Sequence, residues 1–209
     1  MNPLFVTGIG TGIGKTVISA ILTEALQADY WKPVQAGIEE MTDSQWVREM
    51  ISNSRTTIQA ETYVLKMAAS PHIAARAEGI DLRLESIQEQ FEKLNTTGQH
   101  LVIEGAGGLM VPLNENEFVS DLVKKLRADV ILVSRNYLGS INHSLLTARE
   151  CKRQNLSVKG WIFNDQYLDY EEEIVEWTGY PRMASIPRAS EINKAFISQQ
   201  AEQLKKTLI

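Results

Sequence analysis

Apolar residues along this chain fall into short unbroken runs that alternate with longer stretches of helical period. Leu4-Phe5-Val6 is a run of strand length. After a glycine-rich stretch, Ile18, Ile21, Leu22 and Ala25 recur at i, i+3, i+4, i+7, the spacing of one helix face. Tyr30 to Val34 reads as a second strand that stops at Pro33, since proline donates nothing to a sheet ladder. Gln35-Ala36-Gly37 reads as a turn, and Asp43 and Ser44 are candidate N-caps for a short helix to about Ile51. Residues 53–70 have no clean period, with Thr62 to Leu65 a candidate short strand. Ser70-Pro71-His72 opens a helix with Pro71 at its first position. Leu84, Ile87, Phe91 and Leu94 mark the next helix, ended at Thr97-Gly98. Leu101-Val102-Ile103 is wholly apolar, as in a parallel strand buried on both faces. A helix from Val119 to Arg127 and a strand from Val130 to Val133 follow. Ser140 caps a helix to about Gln154, and Gly160 to Phe163 is a strand ending at Asn164-Asp165. A helix from Tyr170 to Thr178, a short strand from Met183 to Ile186 and a C-terminal helix from near Glu191 complete the pattern.

Strands alternating with helices predict an α/β fold, a parallel sheet with helices on both faces, and the glycine-rich turn ending in Gly14-Lys15-Thr16 after the first strand makes it P-loop NTPase-like. No repeat, linker or low-complexity segment divides the chain, so residues 1–209 are expected to form a single domain. In such sheets ligands bind outside the carboxyl ends of the strands. The polar punctuation sits at those ends: Thr7 to Thr16, Lys32, Glu104, Arg135 to Gly139, and Asn164-Asp165.

Thr7-Gly8-Ile9-Gly10-Thr11-Gly12-Ile13-Gly14-Lys15-Thr16 joins a strand to a helix start, the context of a phosphate-binding loop. Its glycine spacing is irregular, because position 9 is Ile9 while Gly8 and Gly10 flank it. Glycines let backbone N–H groups point inward at phosphate, and the helix dipole adds attraction. Lys15 suits the β- and γ-phosphates and the Thr16 hydroxyl suits Mg2+. Glu104 closes a buried strand where such enzymes place a second magnesium acid. Asp43 reads equally as a helix cap or a metal ligand. Lys32, aimed by the rigid Pro33 turn, suits an anion opposite the loop. Asn164-Asp165 reads either as a strand-end turn or as a reader of a base edge. His72 and His143 have no partner at metal-ligand spacing and read as local structural groups.

Composition narrows the function classes. The net charge of −5 and the absence of a basic stripe argue against a nucleic-acid partner. Cys151 is the sole cysteine, so an internal disulfide is impossible, and its apolar helical neighbours predict burial. No apolar run approaches a membrane span, and the first strand starts too early for a leader. A cytoplasmic setting without membrane association is expected.

Five stretches together are similar to the dethiobiotin synthetase family: Thr7-Gly8 through Gly14-Lys15-Thr16; Lys32-Pro33-Val34 with Gly37; Ser70-Pro71-His72; Glu104 through Gly108 with Pro112-Leu113; and Leu138-Gly139 with Ile141-Asn142-His143. Gly160-Trp161 leading to Asn164-Asp165, and Ile186-Pro187, also fit. The resemblance implies an ATP-dependent ligase that closes a ureido ring on 7,8-diaminononanoate with CO2, by way of a carbamate and a carbamic-phosphoric anhydride. It implies Mg2+ held by Thr16, Asp43 and Glu104, with Lys15 and Lys32 as catalytic cations. ATP would lie against Gly12, Ile13, Gly14, Lys15, Thr16, Val17, Asp43, Glu104, Gly105, Ala106 and Gly107. Its base end would meet Asn164, Asp165, Ile186, Pro187, Arg188 and Glu191. Thr11, Lys32, Ala36, Ser70 and Pro71 would face the diamine. Gly139, Ser140, Ile141 and Asn142 would reach its far carboxylate from the partner subunit of a homodimer. Two positions depart from the family pattern: Ala36 stands where relatives carry Ser or Thr, and Gly12 where some are acidic.

Two other readings use the same loop. Partitioning-type P-loop ATPases carry an extra lysine five residues before the loop lysine, and that position here is Gly10. An ATP-sensing regulatory domain would need neither Lys32 nor the Leu138 to His143 loop, both of which are present.

Overall fold

The computed structural model describes residues 3–38, 40–96, 100–165 and 168–208. In chain order the elements are β1 (Leu4–Gly8), α1 (Lys15–Leu26), β2 (Asp29–Trp31), β3 (Val34–Ala36), α2 (Asp43–Met50), β4 (Tyr63–Leu65), α3 (Pro71–Glu78), α4 (Leu84–Lys93), β5 (Leu101–Glu104), α5 (Val119–Lys125), β6 (Asp129–Arg135), α6 (Ser140–Arg153), β7 (Val158–Asn164), α7 (Glu171–Thr178), β8 (Arg182–Ile186) and α8 (Lys194–Leu208). The expected helix end at Thr97-Gly98 lies outside the described residues.

Six strands form one parallel sheet in the order β2-β5-β1-β6-β7-β8. Strand alternation sends successive side chains to opposite faces. Phe5, Trp31, Ile103, Leu132 and Phe163 pack into one layer with residues of α3 to α7. Val6, Tyr30, Val102, Ile131 and Ile162 pack into the other with α1, α2 and α8. The chain thus has the expected doubly covered parallel sheet. The loop-bearing strand β1 sits between β5 and β6, so its carboxyl end faces side chains from both neighbours. No helix among the described residues is long and apolar enough to cross a membrane.

Several boundaries differ from the sequence reading. Tyr30 to Val34 is not one strand: β2 ends at Trp31, and Val34 starts β3, which pairs with β4 in a separate two-stranded sheet. Pro33 makes the break because it lacks an N–H, while its carbonyl accepts from Thr62 and Tyr63, each at 3.0 Å. Gln35 and Ala36, read as a turn, lie in β3. The cap of α2 is Thr42, whose hydroxyl forms a reciprocal box with Gln45, so neither Asp43 nor Ser44 caps it. Ser140 is the first residue inside α6, and Gly139 at φ 105° is its cap. The Ser140 hydroxyl bonds the Tyr170 hydroxyl at 2.7 Å instead. The C-terminal helix starts at Lys194, beyond Glu191. Cys151 is buried as expected, and burial pushes its thiol up to about 12.

Candidate active site

The turn after β1 is shaped by close backbone approach. A Cβ on Gly14 would lie 2.0 Å from the Asn164 amide nitrogen, and Gly14 sits at φ 90°. Only glycine satisfies both demands. Asn164 Nδ2 donates to the Ile13 carbonyl at 2.9 Å, pinning the loop to the end of β7. No side chain caps α1, so its first N–H groups are available to an anion. Lys15 is buried at 7% exposure, and its ammonium donates to the Gly10 carbonyl at 2.7 Å.

Beside the loop lies a buried charge cluster, and parallel pairing explains how it forms. Trp31 is opposite Ile103, so the next residue on each strand, Lys32 and Glu104, meet at the sheet's carboxyl edge. Lys32 Nζ donates to Glu104 Oε1 at 2.9 Å and lies 2.5 Å from Asp43 Oδ2. Thr16 Oγ1 donates to the same Glu104 oxygen at 2.8 Å. The Tyr30 hydroxyl donates to Glu104 Oε2 at 2.8 Å. Gln35 holds Asp43 in place, accepting its backbone N–H at 3.2 Å while donating to the Gly37 carbonyl at 2.8 Å.

The two lysines titrate in opposite directions. Burial lowers Lys15 to about 8, with the Lys32 charge adding to it and Glu104 and Asp43 opposing. Burial also opposes the charge on Lys32, but the adjacent Glu104 and Asp43 carboxylates outweigh it and raise the ammonium above its ordinary value. Tyr30 is raised well above its ordinary value by burial and by the Glu104 charge, so it keeps its proton and donates it to Glu104 in a hydrogen bond. One cleft therefore holds a cation that is expensive to keep charged and another that its acids hold charged.

The cleft spans about 750 Å3. Of the residues singled out from sequence, it brings together Thr11, Gly12, Gly14, Lys15, Thr16, Val17, Lys32, Ala36, Asp43, Ser70, Pro71, Glu104, Ala106 and Gly107. Ile13 is buried in the loop, and Gly105 lies behind the cleft, its N–H bonded to the Val6 carbonyl at 2.9 Å. A smaller hollow of about 280 Å3 continues past Gly12, Gly14 and Val17 to Asn164, Asp165, Pro187 and Arg188. Ile186 is buried behind it, and its carbonyl accepts the Asp165 N–H at 3.1 Å. Glu191 is exposed and lines neither space.

The structure does not bring Gly139, Ser140, Ile141 or Asn142 to this cleft in the same chain. Ser140 is buried, and Ile141 lines a separate hollow between α6 and α7. His72 and His143 make local bonds, His72 with Ser70 at 3.0 Å and His143 with Tyr137 at 2.8 Å. Tyr30, Gln35 and Arg135 were missed as site residues. Tyr30 lies two residues before Lys32 on an extended segment, the spacing that puts side chains on one face. Arg135 clamps Asp165 Oδ2 at 2.9 Å and reaches the Gly12 carbonyl at 3.3 Å, along the wall of the smaller hollow.

Residues 2–195 match a family model described as an AAA domain. The chain is 49% identical over 205 residues to an ATP-dependent dethiobiotin synthetase of Cytophaga hutchinsonii, covering 98% of this chain and 97% of the relative. It is 43% identical to the synthetase of Christiangramia forsetii, with 98% and 96% covered. Among solved structures it resembles a chain of the Aquifex aeolicus MinC:MinD cell division protein complex, at TM-score 0.59, 12% identity, and coverage of 99% and 94%. It also resembles the Pyrococcus furiosus cell division ATPase MinD, at TM-score 0.57, 16% identity, and 99% of each chain. These structural likenesses establish the P-loop fold alone.

Proposed function

The chain belongs to the dethiobiotin synthetase family, an ATP-dependent ligase family, and from that premise we propose how its cleft performs the reaction. The observation that carries the reading is the buried Lys32 ammonium, held between Asp43 and Glu104 in the same cleft as Lys15 and Thr16. Such a site offers fixed cations around the reacting groups, which is what transfer of a phosphoryl group requires.

The substrates are 7,8-diaminononanoate, CO2 and ATP. One amine nitrogen bonds to CO2 and releases a proton, giving a carbamate. A carbamate oxygen attacks the γ-phosphorus and ADP leaves, forming a carbamic-phosphoric anhydride. The second amine then attacks the carbamoyl carbon, expels phosphate and releases a proton as the ring closes. Lys15 steadies the phosphoryl charge, and Lys32 steadies the carbamate as its oxygen approaches. Ser70, Pro71, Thr11 and Ala36 bound the diamine. Ala36 offers no hydroxyl, so hydroxyl contacts to the diamine fall to Thr11 and Ser70.

Thr16, Asp43 and Glu104 fit Mg2+. Among the described residues no three acidic, His or Cys groups form a closed cage. Two carboxylates and a hydroxyl on one wall are the partial oxygen set that suits a cation retaining waters and phosphate oxygens. When bound, Mg2+ supplies neutralisation of charge on the transferred group. Asn164, Asp165, Pro187 and Arg188 receive the base of ATP. Because the Gly139 to Asn142 segment at the start of α6 stands outside its own chain's cleft, we assign it to the diamine carboxylate of a neighbouring subunit in a homodimer. The enzyme acts as one domain in the cytoplasm.

Phosphate release from ATP and Mg2+ tests the reading. It should depend on both the diamine and bicarbonate and should match dethiobiotin formed. Release indifferent to both would overturn it.

A further inference from the structure

We propose that Tyr30 is a positioning residue for Glu104: its buried hydroxyl fixes one carboxylate oxygen, so that the other is presented to the cleft. The inference rests on the metal role given to Glu104 above.

Three groups from three elements hold this carboxylate. Thr16 from α1 and Lys32 just past β2 both donate to Oε1, which is therefore the oxygen on the cleft side. Tyr30 from β2 donates to Oε2 at 2.8 Å. Tyr30 is 0% exposed, and its ring packs in the α1-side layer with Val6, Ile18 and Val102. Its hydroxyl therefore approaches Glu104 from the protein interior. Glu104 is 1% exposed, so water has no route to replace a lost donor at Oε2.

The terminal torsion of a glutamate is broad and roughly two-fold. Nothing intrinsic to Glu104 chooses which way its carboxylate plane turns; its partners do. Both Oε1 donors are groups the reaction engages: Thr16 as a fellow magnesium ligand, and Lys32 with the carbamate. The Tyr30 hydroxyl lies too deep to meet substrate. It is the partner that can keep the carboxylate oriented while the others exchange contacts. Groups in this position behind a metal ligand commonly change metal affinity ten- to a hundredfold when removed.

Tyr30→Phe keeps every carbon and removes only the oxygen. The experiment titrates Mn2+ into the protein with ADP bound, followed by electron paramagnetic resonance. We expect Mn2+ to bind roughly ten- to a hundredfold more weakly to the Phe variant. ADP affinity without metal should match the parent and certify the fold. In turnover, kcat should fall while KM for the diamine changes less than about twofold. In a Glu104→Gln background, adding Tyr30→Phe should leave Mn2+ affinity unchanged. Parent-like Mn2+ affinity in Tyr30→Phe, or an equal loss in the Gln background, overturns the proposal. If the parent binds Mn2+ and ADP but does not turn over the diamine, the functional reading fails, while the Mn2+ comparison still decides the role of Tyr30.

Discussion

Replacing Lys15 by Met should abolish activity and yet stabilise the nucleotide-free protein. Lys15 is 7% exposed, and burial lowers its ammonium from 10.5 to about 8. That difference corresponds to about 3 kcal/mol spent holding the charge in the folded state at neutral pH. Met keeps the apolar stem and removes the charge. The bond to the Gly10 carbonyl is lost with it, which offsets about 1 kcal/mol. A net gain of about 2 kcal/mol should raise the unfolding midpoint by roughly 4–8 °C. The pH dependence has a definite sign. Below pH 8 both states of the parent carry the proton and the full penalty applies. Between 8 and 10.5 the folded state sheds the proton that the unfolded state retains, so parent stability rises with pH. The advantage of the Met variant should therefore shrink steadily over that window. Calorimetry of both proteins without nucleotide, from pH 7 to 10, measures it. A Met variant no more stable at pH 7, or an advantage that ignores pH, would refute the reasoning. Turnover should drop at least about a hundredfold, the scale of losing one positioned stabilising donor.

Lys32→Met should do the opposite to stability. It strands two acids and should cost about 2 kcal/mol, below the full buried-pair value because Asp43 is 34% exposed. Since Lys32 is raised, this loss should hold through neutral pH and fade only as pH rises through the elevated value, and kcat should fall far more than the diamine KM changes. Gly14→Ala forces a side chain into φ 90° and onto the Asn164 amide, so equilibrium binding should show ATP affinity lost at least about tenfold, with stability lowered by about 1–2 kcal/mol. Ile141→Pro removes a backbone donor at the start of α6. Steady-state kinetics should show a raised KM for the diamine with ATP affinity unchanged, and a diamine lacking the carboxylate should be nearly indifferent to the change.

The α/β layering was legible because the central strands β1, β5 and β6 carry unbroken apolar runs and helices such as α1 and α4 a clear period. The phosphate loop was legible because glycine spacing, Lys15 and Thr16 are local in sequence. Glu104 and Lys32 could be placed at strand ends, but their contact could not be read. It depends on the register that sets Trp31 opposite Ile103, and nothing local encodes which strands become neighbours. The break at Pro33 was visible as an interruption, yet its consequence, a second small sheet carrying Gln35 and Ala36, required a partner strand at residues 63–65. Asp43 could not be separated from a helix cap until Thr42 took that role through its box with Gln45. Tyr30 was hidden because an aromatic on an apolar strand reads as packing, and only the fold shows where its hydroxyl ends.

The most direct test of the account follows one oxygen atom. If the carbamate attacks the γ-phosphorus and the ring closes by attack at carbon, the oxygen bridging carbon and phosphorus leaves with the phosphate. Turnover with 18O-labelled bicarbonate, under conditions that limit exchange with water, should therefore yield phosphate carrying one labelled oxygen per dethiobiotin formed, read by the 31P isotope shift. Unlabelled phosphate at full product yield would contradict transfer to a carbamate in this cleft.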